Sequence, residues 1–81
     1  MVYIDILSID GEFVTANYRP ERRDAAPGTL IYNKSYDRLV SIAKSPDEKG
    51  LPDWYVNHAL TELRRMLKKK PVKMSGVAAW Y

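Results

Sequence analysis

The chain has 81 residues, a formal net charge of +3 and no cysteine, and 46% of its residues are hydrophobic. These values exclude a disordered polymer, a disulfide framework and a thiolate metal site or nucleophile. A chain of this length forms one domain around a single small core. We therefore predict a single domain over residues 1–81.

The sequence contains no membrane-spanning segment, since no apolar run approaches the roughly 18 residues that such a helix needs. The opening residues, MVYIDILSID, carry Asp5 and Asp10 and no basic leader, so we predict no signal peptide. We therefore expect a cytoplasmic protein.

The clearest local signal is Asp10-Gly11, which lies between two runs of β-forming residues. A type I′ turn requires positive φ at both central residues, and Asp-Gly adopts it readily. We predict a hairpin with this turn, in which Ile9 pairs with Glu12. Both faces of the hairpin would carry apolar side chains, so we expect other parts of the protein to cover each face. One face would hold Tyr3, Leu7, Ile9, Val14, Ala16 and Tyr18, and the other Val2, Ile4, Ile6 and Phe13.

The second strand of the hairpin is followed by a loop. Residues 19–28, RPERRDAAPG, contain two prolines, a glycine and five charged side chains, which are typical of a chain segment outside regular structure. Residues 29–32, TLIY, then predict a short third strand.

Residues 35–45 fit both a short helix and a strand. Apolar side chains recur at the i, i+3, i+4 and i+7 spacing of a helix, and the number of matches favours that structure. The alternative is a strand that returns after a turn at residues 33–35. The helical set is Tyr36, Leu39, Val40 and Ala43, and the strand set is Tyr36, Val40 and Ile42.

A long amphipathic helix is predicted within residues 51–70. Six apolar side chains form an unbroken stripe over three turns. Pro52 and Asp53 suit the first turn, lysines suit the last, and Pro71 blocks continuation. The stripe consists of Val56, Ala59, Leu60, Leu63, Met66 and Leu67.

Residues 75–81, SGVAAWY, predict a final strand that joins the sheet. The fold class is therefore α+β. We predict a small antiparallel β-sheet, made of the N-terminal hairpin, the third strand and the C-terminal strand. One long amphipathic helix packs on one face, and a second, short helix is favoured before it.

Basic side chains concentrate at the end of the long helix and after it. Residues 60–81 hold six basic and one acidic side chain, whereas residues 1–59 hold seven and nine, so the two parts carry +5 and −2. Such a surface can bind phosphates, although cations also stabilise a helix end without any ligand. The candidate nucleic-acid-binding residues are Arg64, Arg65, Lys68, Lys69, Lys70 and Lys73, extended by Arg22 and Arg23, with Arg19, if the fold brings that loop near.

Tyrosine and tryptophan are unusually frequent, with six and two residues beside a single phenylalanine. Their rings combine an apolar body with a polar tip, which suits protein interfaces and also half-buried positions around a thin core. The candidate partner-binding residues are Tyr18, Trp54, Tyr55, Trp80 and Tyr81.

Catalytic groups are scarce. His58 is the only histidine, and Glu62 follows it by one helical turn, but no third metal ligand is indicated. We interpret the pair as a surface histidine beside an acid. The chain has no glycine-rich phosphate loop and no nucleophile elbow. We therefore predict no enzymatic activity, no cofactor, no metal and no small-molecule substrate.

Two functions are compatible with these patterns. The first hypothesis is a small, non-catalytic, intracellular binding protein of the accessory, inhibitor or adaptor type, which binds another protein or a second copy of itself as a homodimer. The alternative is a nucleic-acid-binding protein that uses its basic C-terminal helix for phosphate contacts.

Overall fold

The computed structural model describes residues 1–48 and 53–79, and its strands form one antiparallel sheet in the order β4-β3-β2-β1-β5. A single long helix packs on that sheet, so the predicted α+β class is confirmed. The elements are β1 (Val2–Asp10), β2 (Phe13–Pro20), β3 (Gly28–Asn33), β4 (Arg38–Ala43), a one-turn 3-10 helix (Pro46–Glu48), α1 (Trp54–Leu67) and β5 (Ser75–Ala78).

The hairpin of β1 and β2 is present, but its pairing differs from the prediction. Asp10 pairs with Phe13, so the two loop residues are Gly11 and Glu12 and not Asp10 and Gly11. Of the two loop residues, Gly11 alone has a positive φ, of 59°. A glycine at the first central position is the pattern of a type II′ turn, which needs positive φ only there.

An extra residue in β1, Leu7, places the apolar side chains of the hairpin on one face. Ile6 pairs with Ala16 and Ser8 pairs with Thr15, which leaves Leu7 as a β-bulge. The prediction that both faces are covered was wrong. The bulge brings the buried side chains of β1 and those of β2 onto the same face of the sheet. The buried face holds Val2, Ile4 and Ile6 from β1 with Val14, Ala16 and Tyr18 from β2.

Residues 38–43 form a strand, so the favoured helix over residues 35–45 was wrong and the strand alternative is correct. The carboxamide oxygen of Asn33 accepts hydrogen bonds from the backbone N–H groups of Ser35 (2.9 Å) and Tyr36 (3.0 Å), which closes a turn directly after β3. Asp37 then adopts a left-handed φ of 51° and sends the chain back beside β3. This local turn chemistry prevails over the helical spacing of the side chains.

Helix α1 packs across β5, β1 and β2, and its apolar stripe forms the other half of the core. Val56, Ala59, Leu63 and Met66 are fully or almost fully buried, whereas Leu60 and Leu67 pack against the margin of the core. Pro52 lies outside the described residues, as do the last two residues of the predicted final strand. Among the described residues, no helix is long and apolar enough to cross a membrane.

A buried polar cluster fixes the loop before β3 to the loop after β4. The hydroxyl of Tyr18 donates to the carboxylate of Glu48 and accepts from the backbone N–H of Ser45 (3.1 Å). The Ser45 hydroxyl in turn donates to the Ala26 carbonyl. Burial, and then the bond to Glu48, raises the pKa of Tyr18 far above its ordinary value, so the phenol stays protonated as the donor.

Candidate functional site

The described members of the predicted partner-binding set differ in exposure. Trp54 is 56% exposed at the start of α1, and Tyr55 beside it is half-buried. Tyr18 is fully buried and its hydroxyl is held by Glu48, so its assignment as a partner-binding residue was wrong for the folded chain. The remaining two predicted residues, Trp80 and Tyr81, lie outside the described residues.

Three of the predicted phosphate-binding arginines are occupied by carboxylates. Arg64 Nε lies 2.6 Å from Asp37 Oδ1, and Arg65 Nη1 lies 3.0 Å from Glu62 Oε1. Arg22 reaches two carboxylates, those of Asp24 (3.7 Å) and Asp47 (3.8 Å). The exposed lysines of the predicted set, Lys68, Lys69 and Lys70, follow at the end of the helix. The basic helix therefore does not offer one row of unpaired cations.

The loop before β3 and the segment before β5 nevertheless bring cations together. Arg19, Arg23 and Lys73 line one cavity of about 350 Å³ on the sheet face opposite α1. Lys73 is thus the C-terminal lysine that lines this cavity with Arg19 and Arg23. The cavity is also lined by Tyr3, which was not among the predicted site residues. No sequence pattern pointed to Tyr3, because only the pairing of β1 with β5 places it there.

Asp37 joins the β3–β4 turn to the helix. Its Oδ1 accepts hydrogen bonds from the Tyr32 hydroxyl and from Arg64 Nε (2.6 Å). These two donors, the Tyr32 hydroxyl first and the Arg64 guanidinium second, lower the pKa of the Asp37 carboxyl. The same carboxylate raises the pKa of Arg64, so both Asp37 and Arg64 are charged at neutral pH.

Replacing Arg64 with glutamine is expected to raise the pKa of Asp37 towards its ordinary value, since one of the two donors that lower it is lost. A carboxyl with a lowered folded pKa stabilises the fold above its unfolded pKa, and this contribution is lost as pH falls through the folded pKa. As the pH falls, the free energy of unfolding of the Arg64→Gln variant should therefore decrease less than that of the unmodified protein. An NMR titration of the Asp37 carboxyl carbon measures the pKa directly.

The matched control is Arg65→Gln, which removes the same charge from the next residue but releases Glu62 instead of Asp37. It should leave the Asp37 pKa close to that of the unmodified protein. Equal Asp37 pKa values in the two variants would contradict a specific Asp37–Arg64 contact.

Exposed apolar side chains also occur at β4, which occupies one edge of the sheet, and in the turn before it. Tyr36 is 76% exposed, Val40 54% and Ile42 40%. Val40 is the extra residue of a β-bulge, because Ile31 pairs with Ser41 and Tyr32 pairs with Leu39. These three residues are the apolar set of the strand alternative for residues 35–45, so the signal for them was present in the sequence.

Cations flank both ends of this edge. Lys34 lies in the turn between β3 and β4, and Arg38 is the first residue of β4. Neither forms an ion pair with another described residue. Lys44 follows the end of β4 and contacts Asp53 at the start of α1, which raises the pKa of Lys44. The edge is thus apolar at its centre, and its cations without a carboxylate partner among the described residues lie at the end where β4 begins.

The histidine and acid of α1 are not a surface pair. His58 is half-buried, and Glu62 is almost fully buried beneath β5 and accepts a hydrogen bond from Arg65. Within residues 1–48 and 53–79, no group of three or more His, Asp or Glu side chains is placed to hold a metal ion.

No protein-family model matches the chain, and no curated protein or solved structure is significantly similar to it.

Proposed function

We propose that this protein is a small, non-catalytic binding protein whose protein–protein interface is centred on β4. The observation that carries the proposal is the exposure of Val40 and Ile42 on an edge strand and of Tyr36 in the turn that leads into it. Exposed apolar groups that lie together are characteristic of interaction sites. An edge strand also presents unpaired backbone N–H and C=O groups, which an extended segment of a partner can bind.

The devices that usually protect an edge strand are only partly present in β4. It contains no proline, and Arg38 at its start is its one charged residue. The bulge at Val40 interrupts regular pairing, so we expect backbone pairing along Ser41–Ala43. Val40 and Tyr36 would then supply side-chain contacts beside it.

The cations at the start of β4 favour an acidic partner segment. Lys34 and Arg38 form no ion pair with another described residue, whereas Lys44 at the other end of the strand is already paired with Asp53. We therefore propose a partner segment with alternating apolar side chains and with Asp or Glu at the end that lies beside Arg38. Electrostatic attraction would also speed its association.

Selection from a library of random peptides long enough to cover β4 tests this proposal. Enriched peptides should share the alternating apolar and terminal acidic pattern. Replacing Val40 or Ile42 with lysine should weaken their binding by about tenfold or more, because a charge at the interface costs at least about 1.4 kcal/mol. Fluorescence anisotropy with a labelled peptide measures the affinity.

Thr61→Lys is the matched control, since it adds the same charge at an exposed position on α1 and away from β4. It should leave peptide affinity unchanged. Failure to enrich any peptide, or enrichment of peptides that bind the Val40→Lys and Ile42→Lys variants normally, would contradict an interface at β4.

Nucleic-acid binding through the helix remains the second hypothesis and has less support. Arg64 and Arg65 would each have to leave a carboxylate before they could contact phosphate. That exchange reduces the gain from each phosphate contact, so Lys68, Lys69 and Lys70 at the helix end would have to supply most of the affinity.

A further inference from the structure

The sheet face opposite α1 carries a cavity of about 350 Å³ where β2, β1 and β5 meet. Tyr3 and Asp5 come from β1, Arg19 from β2, Arg23 from the following loop, and Lys73 and Ser75 from the segment that leads into β5. Ligand pockets in proteins begin at about 300 Å³, so this cavity suits a small ligand or one end of a larger one. The width of the sheet separates the cavity from β4, so the two are distinct sites.

Asp5 organises the inner wall of the pocket. Its Oδ1 accepts a hydrogen bond from the Ser75 hydroxyl (2.7 Å), and its Oδ2 accepts one from Arg19 Nη1 (3.2 Å). Both carboxylate oxygens are thereby engaged by groups of the protein. Asp5 therefore holds Arg19 in place, and its own charge is largely compensated.

The other two cations of the pocket have no carboxylate partner among the described residues. The guanidinium carbon of Arg23 lies 4.7 Å from the centroid of the Tyr3 ring, within the range of a cation–π contact. Such a contact uses no N–H donor of the guanidinium in a hydrogen bond to a carboxylate, so donors remain for a ligand. Lys73 forms no ion pair within the described part of the chain. Three cations and one carboxylate give the pocket a charge of about +2.

We propose that this pocket binds a phosphate monoester. Such a group carries about −1.5 to −2 charges at pH 7, which matches the charge of the pocket. The planar edge of Arg23 can donate two parallel hydrogen bonds to phosphate oxygens, and Lys73 can approach as a point charge. Tyr3 and Val77 line the pocket beside these cations and can contact the group esterified to the phosphate. The ligand is either a free molecule of mononucleotide size or the 5′-terminal phosphate of an oligonucleotide.

The decisive variants are Arg23→Gln and Lys73→Gln. Both residues are exposed outside the regular elements, so the fold should be retained, which circular dichroism verifies. Each variant should weaken binding of adenosine 5′-monophosphate by about tenfold or more, because each removes a charge-assisted hydrogen bond. Lys34→Gln is the matched control, with the same loss of charge near the β3–β4 turn, and it should bind normally.

NMR titrations of the amide resonances compare four probes: adenosine 5′-monophosphate, adenosine, and one oligonucleotide with and without a 5′-phosphate. We expect shifts around Tyr3, Arg23 and Lys73 with the monophosphate and none with adenosine. Tight binding of the 5′-phosphorylated oligonucleotide would identify the terminal phosphate as the source, and its failure to bind would identify a small molecule.

Three results would overturn the proposal. The first is equal binding of adenosine and its monophosphate. The second is equal binding of the oligonucleotide with and without its 5′-phosphate at this pocket, which would indicate a phosphodiester. The third is a Lys34→Gln effect as large as that of Arg23→Gln, which would indicate non-specific attraction to a basic protein.

Discussion

Replacing Gly28 with alanine is expected to lower the free energy of unfolding by about 3 kcal/mol. A methyl group at this position would overlap the ring of Tyr18 and lie 2.7 Å from its hydroxyl oxygen. The ring cannot turn away freely, because it is fully buried and its hydroxyl bonds both Glu48 and Ser45. The loss is a large part of the roughly 4–12 kcal/mol expected for a domain of this size. Urea unfolding followed by circular dichroism measures it.

The same substitution in a Tyr18→Leu background separates overlap with the ring from other effects. Leucine lacks the ring atoms and hydroxyl that the new methyl group would meet, so Gly28→Ala should cost much less there. The two substitutions should therefore be strongly non-additive. An equal cost in both backgrounds would show that contact with Tyr18 is not the reason why glycine is required.

Leu63→Ala is expected to destabilise the protein by about 2–5 kcal/mol. Leu63 is fully buried between α1 and the sheet, and removing its side chain would leave a cavity in a core that has little room to rearrange. In a domain of this size each kcal/mol lowers the midpoint of thermal unfolding by about 4–8 °C. Differential scanning calorimetry would therefore record a clear shift.

Leu60→Ala makes the same deletion one turn earlier in the helix, at a residue that packs only against the margin of the core. Its cost should be clearly smaller, because less apolar surface returns to water and no closed cavity forms. Similar losses for the two variants would mean that α1 is rotated relative to the sheet from the orientation described here.

The long helix and the α+β class were predictable from the sequence, because their signals extend over many residues. The stripe from Val56 to Met66 repeats for three turns, and no other structure accommodates that spacing. The third strand was predictable for a related reason, since TLIY is a β-rich run closed by an asparagine that favours a turn.

The structural predictions that failed are those in which a single residue changes the local structure. A single bulged residue, Leu7, reverses which side chains of β1 face the core, and no alternation pattern reveals it in advance. The carboxamide of Asn33 closes a turn that decides between helix and strand for the residues after it. Glu62 is buried because Gly76 of β5 leaves space beside it, a long-range contact with no local signal.

The candidate site was predictable only in part. Composition revealed the excess of cations and aromatic rings, but not which cations are neutralised within the chain. The pairing of Arg64 with Asp37 depends on a left-handed residue in a turn 27 positions away. The pocket around Arg23 and Lys73 depends on β5 lying beside β1, since that arrangement brings the two ends of the described sequence together.

The two edges of the sheet differ in length, since β5 has four residues and β4 has six. Short edge strands offer few backbone groups and resist further pairing. A molecule with two equally receptive edges can join copies head to tail, and because each addition exposes a fresh edge, such growth gives fibres. The brevity of β5 makes it the less receptive edge, so strand addition at the proposed β4 interface would favour a finite complex over a growing filament.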